Sequence, residues 1–145
     1  NANSYRRFAP GFFAPITPNW GPNHRNLSLR IPLSDDDNVR IEHRSAGADA
    51  NPYLVVASVL AGMHHGLKQK SSPPKMINES EVIDPEITLP VKWQDALDEF
   101  KKAEVLPNYF HEEFCRIFHH CRACELDRFS SQISNKDFEW YLRSI

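Results

Sequence analysis

The stretch 25–44, RNLSLRIPLSDDDNVRIEHR, decides how the first part of this chain folds. Apolar and polar residues alternate in two runs, 26–31 and 39–44, and a period of two is typical of β-strands with one buried face. The Asp- and Asn-rich residues 34–38 between them have turn chemistry. The pattern predicts a β-hairpin whose buried face carries the apolar side chains Leu27, Leu29, Ile31, Val39 and Ile41.

The opposite face of the predicted hairpin carries most of its charge. Because the buried face fixes the register, one set of side chains must point the other way: Ser28, Arg30, Arg40, Glu42 and Arg44. Guanidinium groups match the geometry of carboxylates and phosphates, and a hard cation that acts with phosphates needs carboxylate oxygens. Alternation alone leaves two interpretations open: an anion site with a metal-capable glutamate, or a solvated face with weak ion pairs.

Length and composition narrow the class of protein. The 145 residues suffice for one domain with a hydrophobic core. A net charge of −2 and a pI of about 6.4 favour neither nucleic acid nor an anionic membrane as a partner, and no apolar run is long enough to cross a bilayer. Three cysteines, an odd number, indicate reduced thiols and a cytoplasmic protein. Because the first residue is Asn1, we expect a fragment of a longer chain.

The remaining sequence predicts a loop followed by helices. Residues 1–24, rich in proline, glycine and aromatic residues, predict a long structured loop that includes the turn Pro10-Gly11. Asn51 and Pro52 are typical of a helix start, and they open a helix over 52–70 that is apolar on nearly all sides and therefore expected to be buried.

Residues 71–90, which include Asp84-Pro85, predict an extended surface connection. Helical spacing then predicts three more helices, over 92–105, 107–129 and 134–142, the last opened by the capping pair Ser134 and Asp137. We assign no metal to Cys121-x-x-Cys124, because it lies within a helical pattern and no second ligand pair accompanies it.

Several motifs in series give residues 1–70 a resemblance to glutamine synthetases. They are Arg25 and the segments NSYRRF at 3–8, PG at 10–11, AP at 14–15, LRIP at 29–32, RIEHR at 40–44 and ADANPYL at 48–54. The last 55 residues resemble one branch of that family, the bacterial γ-glutamylputrescine synthetases, through Phe114-Cys115 and Glu139-Trp140.

The resemblance implies an α+β fold, the C-terminal part of a catalytic domain. Residues 1–50 would form an active-site loop and a hairpin of a partial barrel, and residues 51–145 a mainly helical half. It implies the cofactors ATP and Mg²⁺ or Mn²⁺. ATP phosphorylates the γ-carboxylate of glutamate, and an amine then displaces phosphate from the γ-glutamyl phosphate.

The resemblance also implies a role for each matching residue. Glu42 would bind a divalent cation, and Arg7 and Arg44 would hold the substrate glutamate. The nucleotide phosphates and the transferred phosphoryl group would lie among three arginines, of which the first two act catalytically: Arg25, Arg30 and Arg40. Such chemistry needs positioning and charge neutralisation more than covalent help, which suits arginines.

Two departures from the family pattern carry information. Phe13 stands where ammonia-using members have a glutamate, and an aromatic ring can line an alkyl pocket but cannot take a proton. We therefore expect a primary amine, putrescine or another polyamine, as nitrogen donor. The alternatives are an ammonia-using glutamine synthetase and a non-catalytic structural relative. Residues 71–90 contain no tyrosine, so adenylylation there is not available.

The resemblance further implies that the site needs more than this chain. Other carboxylates, a metal-binding histidine and a β-grasp domain lie upstream in the family, and family sites form between subunits of stacked rings. We expect residues 1–145 to be catalytically inert alone, and a homo-oligomer in the full-length protein.

Overall fold

The computed structural model describes residues 1–9, 12–83 and 87–143, and the predicted turns Pro10-Gly11 and Asp84-Pro85 therefore lie outside the described residues. The α+β fold class is confirmed. The helices and strands follow in chain order: α1 Ala2–Arg6, β1 Trp20–Pro22, β2 Leu29–Ile31, β3 Glu42–His43, α2 Pro52–Gln69, α3 Trp93–Lys101, α4 Pro107–Phe110, α5 Glu112–Ser130 and α6 Asn135–Tyr141.

The predicted hairpin is confirmed, with shorter strands than the alternation suggested. Strands β2 and β3 pair antiparallel, and Arg30 lies directly opposite Glu42. The segment between them contains a 3-10 turn, Asp36–Asn38, in the Asp-rich stretch that predicted a turn.

The prediction that residues 1–24 form a loop was wrong at both ends. The side chain of Asn1 accepts a hydrogen bond from the Asn3 amide and starts helix α1, ahead of the prolines on which the prediction rested. Strand β1 pairs parallel to β2, with Trp20 opposite Leu29. On its other side the Ile77 amide donates to the Trp20 carbonyl at 3.0 Å. Contacts distant in sequence therefore form this strand, and local alternation does not reveal them.

The assignment of the hairpin faces was wrong in part. Leu27 is fully buried as predicted, but Val39 and Ile41 are 67% and 65% exposed, because nothing in the described part of the chain covers their face. Ser28, placed on the charged face by alternation, is buried and donates its hydroxyl to the Thr17 carbonyl. The polar face is thus the better covered of the two.

Helix α2 has the predicted bounds but not the predicted burial. The Asn51 side chain accepts from the amides of Tyr53 and Leu54, and the left-handed Lys70 (φ 52°) ends the helix. Ala61 is its buried residue, while five large apolar side chains are exposed: Tyr53, Val56, Leu60, Met63 and Leu67. The expectation of burial on several sides was therefore wrong for this chain by itself.

The C-terminal helices pack through aromatic side chains along α5. Phe118 contacts Phe100 of α3 with ring centroids 5.4 Å apart, and Phe114 stacks between Phe118 and Phe110 at 5.9 and 5.7 Å. The single helix predicted over 107–129 is two, because the backbone of His111 has a φ of 69°. The capping pair of Ser134 and Asp137 at the start of α6 is confirmed.

Residues 74–81, which we call the strap, run along strand β1 and confirm the extended connection over the residues described. The Trp20 indole donates to the Pro74 carbonyl at 2.8 Å. A Cβ on Gly21 would lie 1.9 Å from the Ile77 carbonyl oxygen, so only glycine lets the strap approach this closely. The strap thereby fixes the edge of the sheet next to Arg30.

Candidate functional site

The Glu42 carboxylate lies among three arginines. Arg30 donates to its Oε2 at 2.9 Å, Arg40 lies 3.4 Å from Oε1, and Arg44 lies 3.8 Å from Oε2. The hydrogen bond from Arg30 holds the pKa of the Glu42 carboxyl below its usual value, and the charges of all three arginines act in the same direction. The carboxylate is therefore ionised at neutral pH in a strongly cationic surrounding.

The hairpin brings these four side chains together for a simple reason. Arg30 and Glu42 are a directly opposed cross-strand pair. Arg40 and Arg44 are two residues from Glu42 in either direction, and alternate residues of an extended chain share a face. The side chains of Arg30 and Arg44 are 17% and 24% exposed, whereas that of Arg40 is 56% exposed. The cluster is therefore shielded on one side and open on the other.

Arg44 connects the cluster to the N-terminal loop. Its NH2 donates to the Phe13 carbonyl at 3.0 Å, and Arg7 donates to the carbonyls of Arg44 (2.9 Å) and Ser45. Burial, and then the charge of Arg44, lower the pKa of Arg7, although a guanidinium remains charged at any physiological pH. The Nε atoms of Arg7 and Arg44 are buried and have no hydrogen-bond acceptor among the described residues.

Two buried guanidinium donors without an acceptor are unusual, because most buried polar groups are paired. Both belong to arginines to which the family resemblance assigned the substrate glutamate, and Arg7 bonds the backbone carbonyls of Arg44 and Ser45. Because both Nε atoms are enclosed, an incoming anion does not reach them directly, but the two guanidinium groups lie near enough for the charge of Arg44 to lower the pKa of Arg7. This corner of the cluster is therefore strongly cationic.

Asn23 is a residue of the site that the sequence analysis missed. Its carbonyl and its Oδ1 accept from Arg30 Nε at 3.2 Å and from Arg30 NH2 at 2.9 Å. Its backbone has a φ of 54°, a conformation that asparagine tolerates better than most residues. The Gly21-Pro22-Asn23 sequence is a turn signal that could have drawn attention to it.

Ser4 and Asp49 were missed as well. The Ser4 hydroxyl donates to the Asp49 carboxylate, which lowers the pKa of Asp49, and a Cβ on Gly47 would lie 2.7 Å from Asp49 Oδ1. This contact ties helix α1 to the turn before α2, and so helps to place Arg7 beside Arg44. The motif ADANPYL contains Asp49, but no local pattern identifies its partner.

Two of the predicted site residues, Arg25 and Phe13, do not lie within the cluster of arginines around Glu42. Arg25 lies in an exposed turn between β1 and β2, and no ion pair in the described part of the chain joins it to Glu42. The Phe13 ring is 65% exposed, although its carbonyl is bonded to Arg44. The structure thus brings together Arg7, Arg30, Arg40, Glu42 and Arg44, and it places Phe13 at their border.

The described residues do not by themselves form a complete metal site. Residues 1–9, 12–83 and 87–143 contain no group of three or more histidine, cysteine or acidic side chains that could hold a metal ion. Glu42 is a single carboxylate whose oxygens pair with arginines, whereas Mg²⁺ and Mn²⁺ prefer several oxygen ligands. Cys115, Cys121 and Cys124 are free thiols. Across the same described ranges, the helices are too short or too polar to cross a membrane.

Comparison with known proteins gives consistent matches over the whole chain. The family profile for the glutamine synthetase catalytic domain matches residues 1–141. The γ-glutamylputrescine synthetase of Escherichia coli (strain K12) is 41% identical over 144 residues, covering 99% of this chain and 30% of that protein. The γ-glutamylethanolamide synthetase of Streptomyces coelicolor is 30% identical over 141 residues, covering 97% of this chain and 29% of that protein.

A solved structure of Plasmodium falciparum glutamine synthetase superposes on 97% of this chain with a TM-score of 0.80. At 20% identity this match concerns the fold alone, and it covers 37% of that chain. The present chain therefore spans about a third of the length of the relatives it matches.

Proposed function

This chain belongs to the glutamine synthetase family, and from that premise we propose that it is the C-terminal part of an ATP-dependent ligase. The ligase joins the γ-carboxylate of glutamate to an amine. The observation that carries the proposal is the Glu42 carboxylate among Arg30, Arg40 and Arg44, with Arg7 bonded to the backbone of Arg44.

The reacting groups of such a ligase are almost all anionic. Glutamate brings two carboxylates, ATP brings its phosphates, and the γ-glutamyl phosphate adds a further phosphoryl group. Preorganised cations stabilise this charge where it develops, and guanidinium forks do so with defined geometry. A face of converging arginines supports this role better than a structural one, because like charges in one place otherwise repel.

Substrate glutamate is proposed to bind at Arg7 and Arg44. Support comes from the proximity of the two side chains, since Arg7 donates to the Arg44 carbonyl and the charge of Arg44 lowers the pKa of Arg7. Their NH2 groups bond backbone carbonyls and so hold both guanidinium planes in place before substrate arrives. Preorganisation of this kind lowers the cost of binding.

The phosphates of ATP are proposed to bind at Arg25, Arg30 and Arg40, with Arg25 and Arg30 also contacting the transferred phosphoryl group. Arg40 is the most exposed arginine around Glu42, at 56%, and Arg25 is exposed in its turn. Both can therefore reach a bound nucleotide. Arg30 has two N–H groups left after its three hydrogen bonds to Asn23 and Glu42.

Glu42 is proposed to supply one ligand to a divalent cation, Mg²⁺ or Mn²⁺. Such a cation neutralises phosphate charge when bound. The other ligands must come from outside this chain, since its described residues do not provide them. For that reason residues 1–145 are proposed to be inactive alone, and the full-length protein to act as a homo-oligomer of stacked rings in the cytoplasm.

The nitrogen donor is proposed to be a primary amine with an alkyl chain, putrescine or another polyamine. Phe13 supports this, because its carbonyl is bonded to Arg44 and its ring is exposed at the border of the cluster. The ring can contact methylene groups next to the glutamate site, but it cannot accept a proton from ammonium. Relatives named for putrescine and ethanolamide products point the same way.

The test is ADP release by the full-length protein with ATP, glutamate, Mg²⁺ and one nitrogen donor at a time. We expect rapid turnover with putrescine or another polyamine and little with ammonia. Turnover with ammonia alone would indicate an ordinary glutamine synthetase. Absence of turnover with every donor, together with no Mg²⁺-dependent nucleotide binding, would indicate a structural relative.

A further inference from the structure

Arg30 is held by more hydrogen bonds than the other arginines around Glu42. Its Nε and NH2 donate to the carbonyl and Oδ1 of Asn23, and its NH1 donates to Glu42. Three bonds in different directions fix the plane of a guanidinium, and the group is only 17% exposed. The orientation of Arg30 is therefore set as much by Asn23 as by Glu42.

Asn23 is itself held from the opposite side. Its Nδ2 donates to Glu79 Oε2 at 2.9 Å, across 56 residues of sequence. The side-chain amide thus uses its oxygen toward Arg30 and its nitrogen toward the strap. An asparagine is needed for this, because it offers an acceptor and a donor on one planar group.

The strap has its own fixed geometry around Glu79. Glu81 accepts from the Asn78 amide at 2.9 Å and from Lys75 Nζ at 3.1 Å, and these bonds, the amide first, lower the pKa of Glu81. Pro74 and Ile77 bond to Trp20 at the other end. Glu79 therefore lies in a turn held by bonds within the strap, and the residues just before this turn are bonded to Trp20.

We propose that Asn23 and Glu79 are positioning residues, through which the strap sets the orientation of Arg30 toward the phosphates. This rests on the proposed ligase function, since Arg30 has a task only if phosphates bind there. Neither residue touches substrate. A small rotation of the guanidinium would misdirect its two remaining N–H groups, and misplacement by about 1 Å can reduce a rate about 100-fold.

The proposal is tested in the full-length enzyme by variants that exchange the donor and the acceptor of the hydrogen bond between Asn23 and Glu79. In N23D the second carboxylate oxygen faces the Glu79 carboxylate, and we expect kcat/KM for ATP to fall about 10-fold. In E79Q the amide oxygen still accepts from Asn23, and we expect a change of less than about twofold. In the double variant N23D/E79Q the new amide on the strap donates to the new carboxylate, and we expect recovery to within about threefold of the wild type.

Asp and Gly both tolerate the left-handed backbone of residue 23, so these variants avoid the strain that alanine would introduce. N23G keeps the carbonyl acceptor but loses both side-chain bonds, and E79Q cannot rescue it. The KM for glutamate should stay within about twofold throughout, because Arg7 and Arg44 donate hydrogen bonds to the backbone carbonyls of residues 13, 44 and 45 and not to Asn23. A general folding defect would change both substrates together.

A double variant as impaired as N23D, or a parallel loss in glutamate KM, would overturn the positioning role. Structures of the variants test the positioning role independently of ligase activity. The Arg30 guanidinium should rotate away from Glu42 in N23D and return to it in N23D/E79Q. A rotation that follows this pattern in a protein without ligase turnover would support the positioning pair and refute the ligase. If the Arg30 guanidinium does not move in N23D although the protein is an active ligase, the positioning role is refuted and the proposed function is supported.

Discussion

The charged side chains of the two halves of this chain bond over different ranges, although the C-terminal helices also pack through aromatic contacts such as Phe100–Phe118. In residues 1–50, Arg7 bonds to a carbonyl 37 positions away, Arg44 to one 31 positions away, and Trp20 to one 54 positions away. On the C-terminal helices the ion pairs join residues three apart, as in Glu113–Arg116 and Lys136–Glu139. The candidate site lies entirely in the half whose charged side chains bond over long ranges.

This difference has a functional consequence. Helical ion pairs three apart are exposed and form wherever the helix forms, so they contribute little and specify no shape. The arginines around Glu42 reach their positions only when the loop, the hairpin and the strap are all in place. A site built in this way is preorganised by the fold, which is the condition for electrostatic stabilisation of a reaction.

The largest expected effect on activity distinguishes Glu42 from Glu113, two glutamates whose carboxylates each accept a hydrogen bond from an arginine. Glu42 and Glu113 each receive a hydrogen bond at 2.9 Å from an arginine. In the full-length enzyme, E42Q should reduce kcat/KM for amine ligation about 1,000-fold, because it removes the proposed metal-binding carboxylate at the centre of the arginine cluster. The matched E113Q should change it by less than about twofold.

Steady-state ADP release with saturating glutamate measures both variants. Equal effects of E42Q and E113Q would mean that the cluster is a surface feature like the helical pairs. Retention of nucleotide affinity by E42Q in the absence of divalent cation would locate the loss in metal binding, as proposed.

The next effect compares two glycines. A Cβ on Gly21 would lie 1.9 Å from the Ile77 carbonyl, whereas a Cβ on Gly62 of α2 meets nothing within 4 Å. G21A should therefore lower the free energy of unfolding by about 3 kcal/mol or displace the strap. G62A should raise it by up to about 1 kcal/mol, because alanine is the better helix former.

Urea unfolding midpoints of the 145-residue chain and its two variants, at constant slope, give both values, because the space around Gly62 is open in this chain. An unchanged midpoint in G21A would show that the strap can leave strand β1 without loss of stability. In that case the coupling between Glu79 and Asn23 would also lose its anchor.

The sequence predicted the two halves unequally, and the range of the contacts explains why. The capping pair Ser134–Asp137 and the start of α2 at Asn51 and Pro52 are local signals, and the structure confirms both. The hairpin was predictable for the same reason. The positions of Asn23, Ser4 and strand β1 depend on partners 7 to 57 residues away, for which the printed sequence has no local pattern.

The prediction of which apolar side chains are buried was wrong for a related reason. The apolar periodicity in α2 and in the hairpin predicted which side chains would be buried. It could not show that the described residues of this chain contain nothing that packs over them. Val39, Ile41 and Leu60 are all more than half exposed here, although their pattern is that of buried residues. The same alternation correctly placed Arg30, Arg40, Glu42 and Arg44 on one face.

A smaller effect concerns the choice of nitrogen donor at the border of the site. F13E places a carboxylate next to Arg44 in the loop whose carbonyl already bonds that arginine. We expect the ratio of kcat/KM for putrescine to that for ammonia to fall about 10-fold. F13L is the control, because it keeps an apolar side chain and should keep the ratio within about threefold. Equal ratios in F13E and wild type would remove Phe13 from the amine site.

The smallest expected effect is on stability as a function of pH, and it compares the same two glutamates again. Hydrogen bonds from Arg30 and Arg116 hold the pKa of the Glu42 and Glu113 carboxyls below their usual values. The stabilisation is therefore fully present above the unfolded value of about 4.3 and is lost as the pH falls through the folded pKa. E42Q and E113Q should each be less stable than wild type at pH 7, and both differences should shrink as the pH falls below the unfolded value of about 4.3. The Glu42 side chain is 29% exposed and has three arginine neighbours, whereas Glu113 is 55% exposed and has one arginine partner. We thus expect the larger pH-dependent difference in urea midpoint for E42Q. A difference as large for E113Q would mean that the long-range contacts around the hairpin shield its charges no better than an exposed helix surface does.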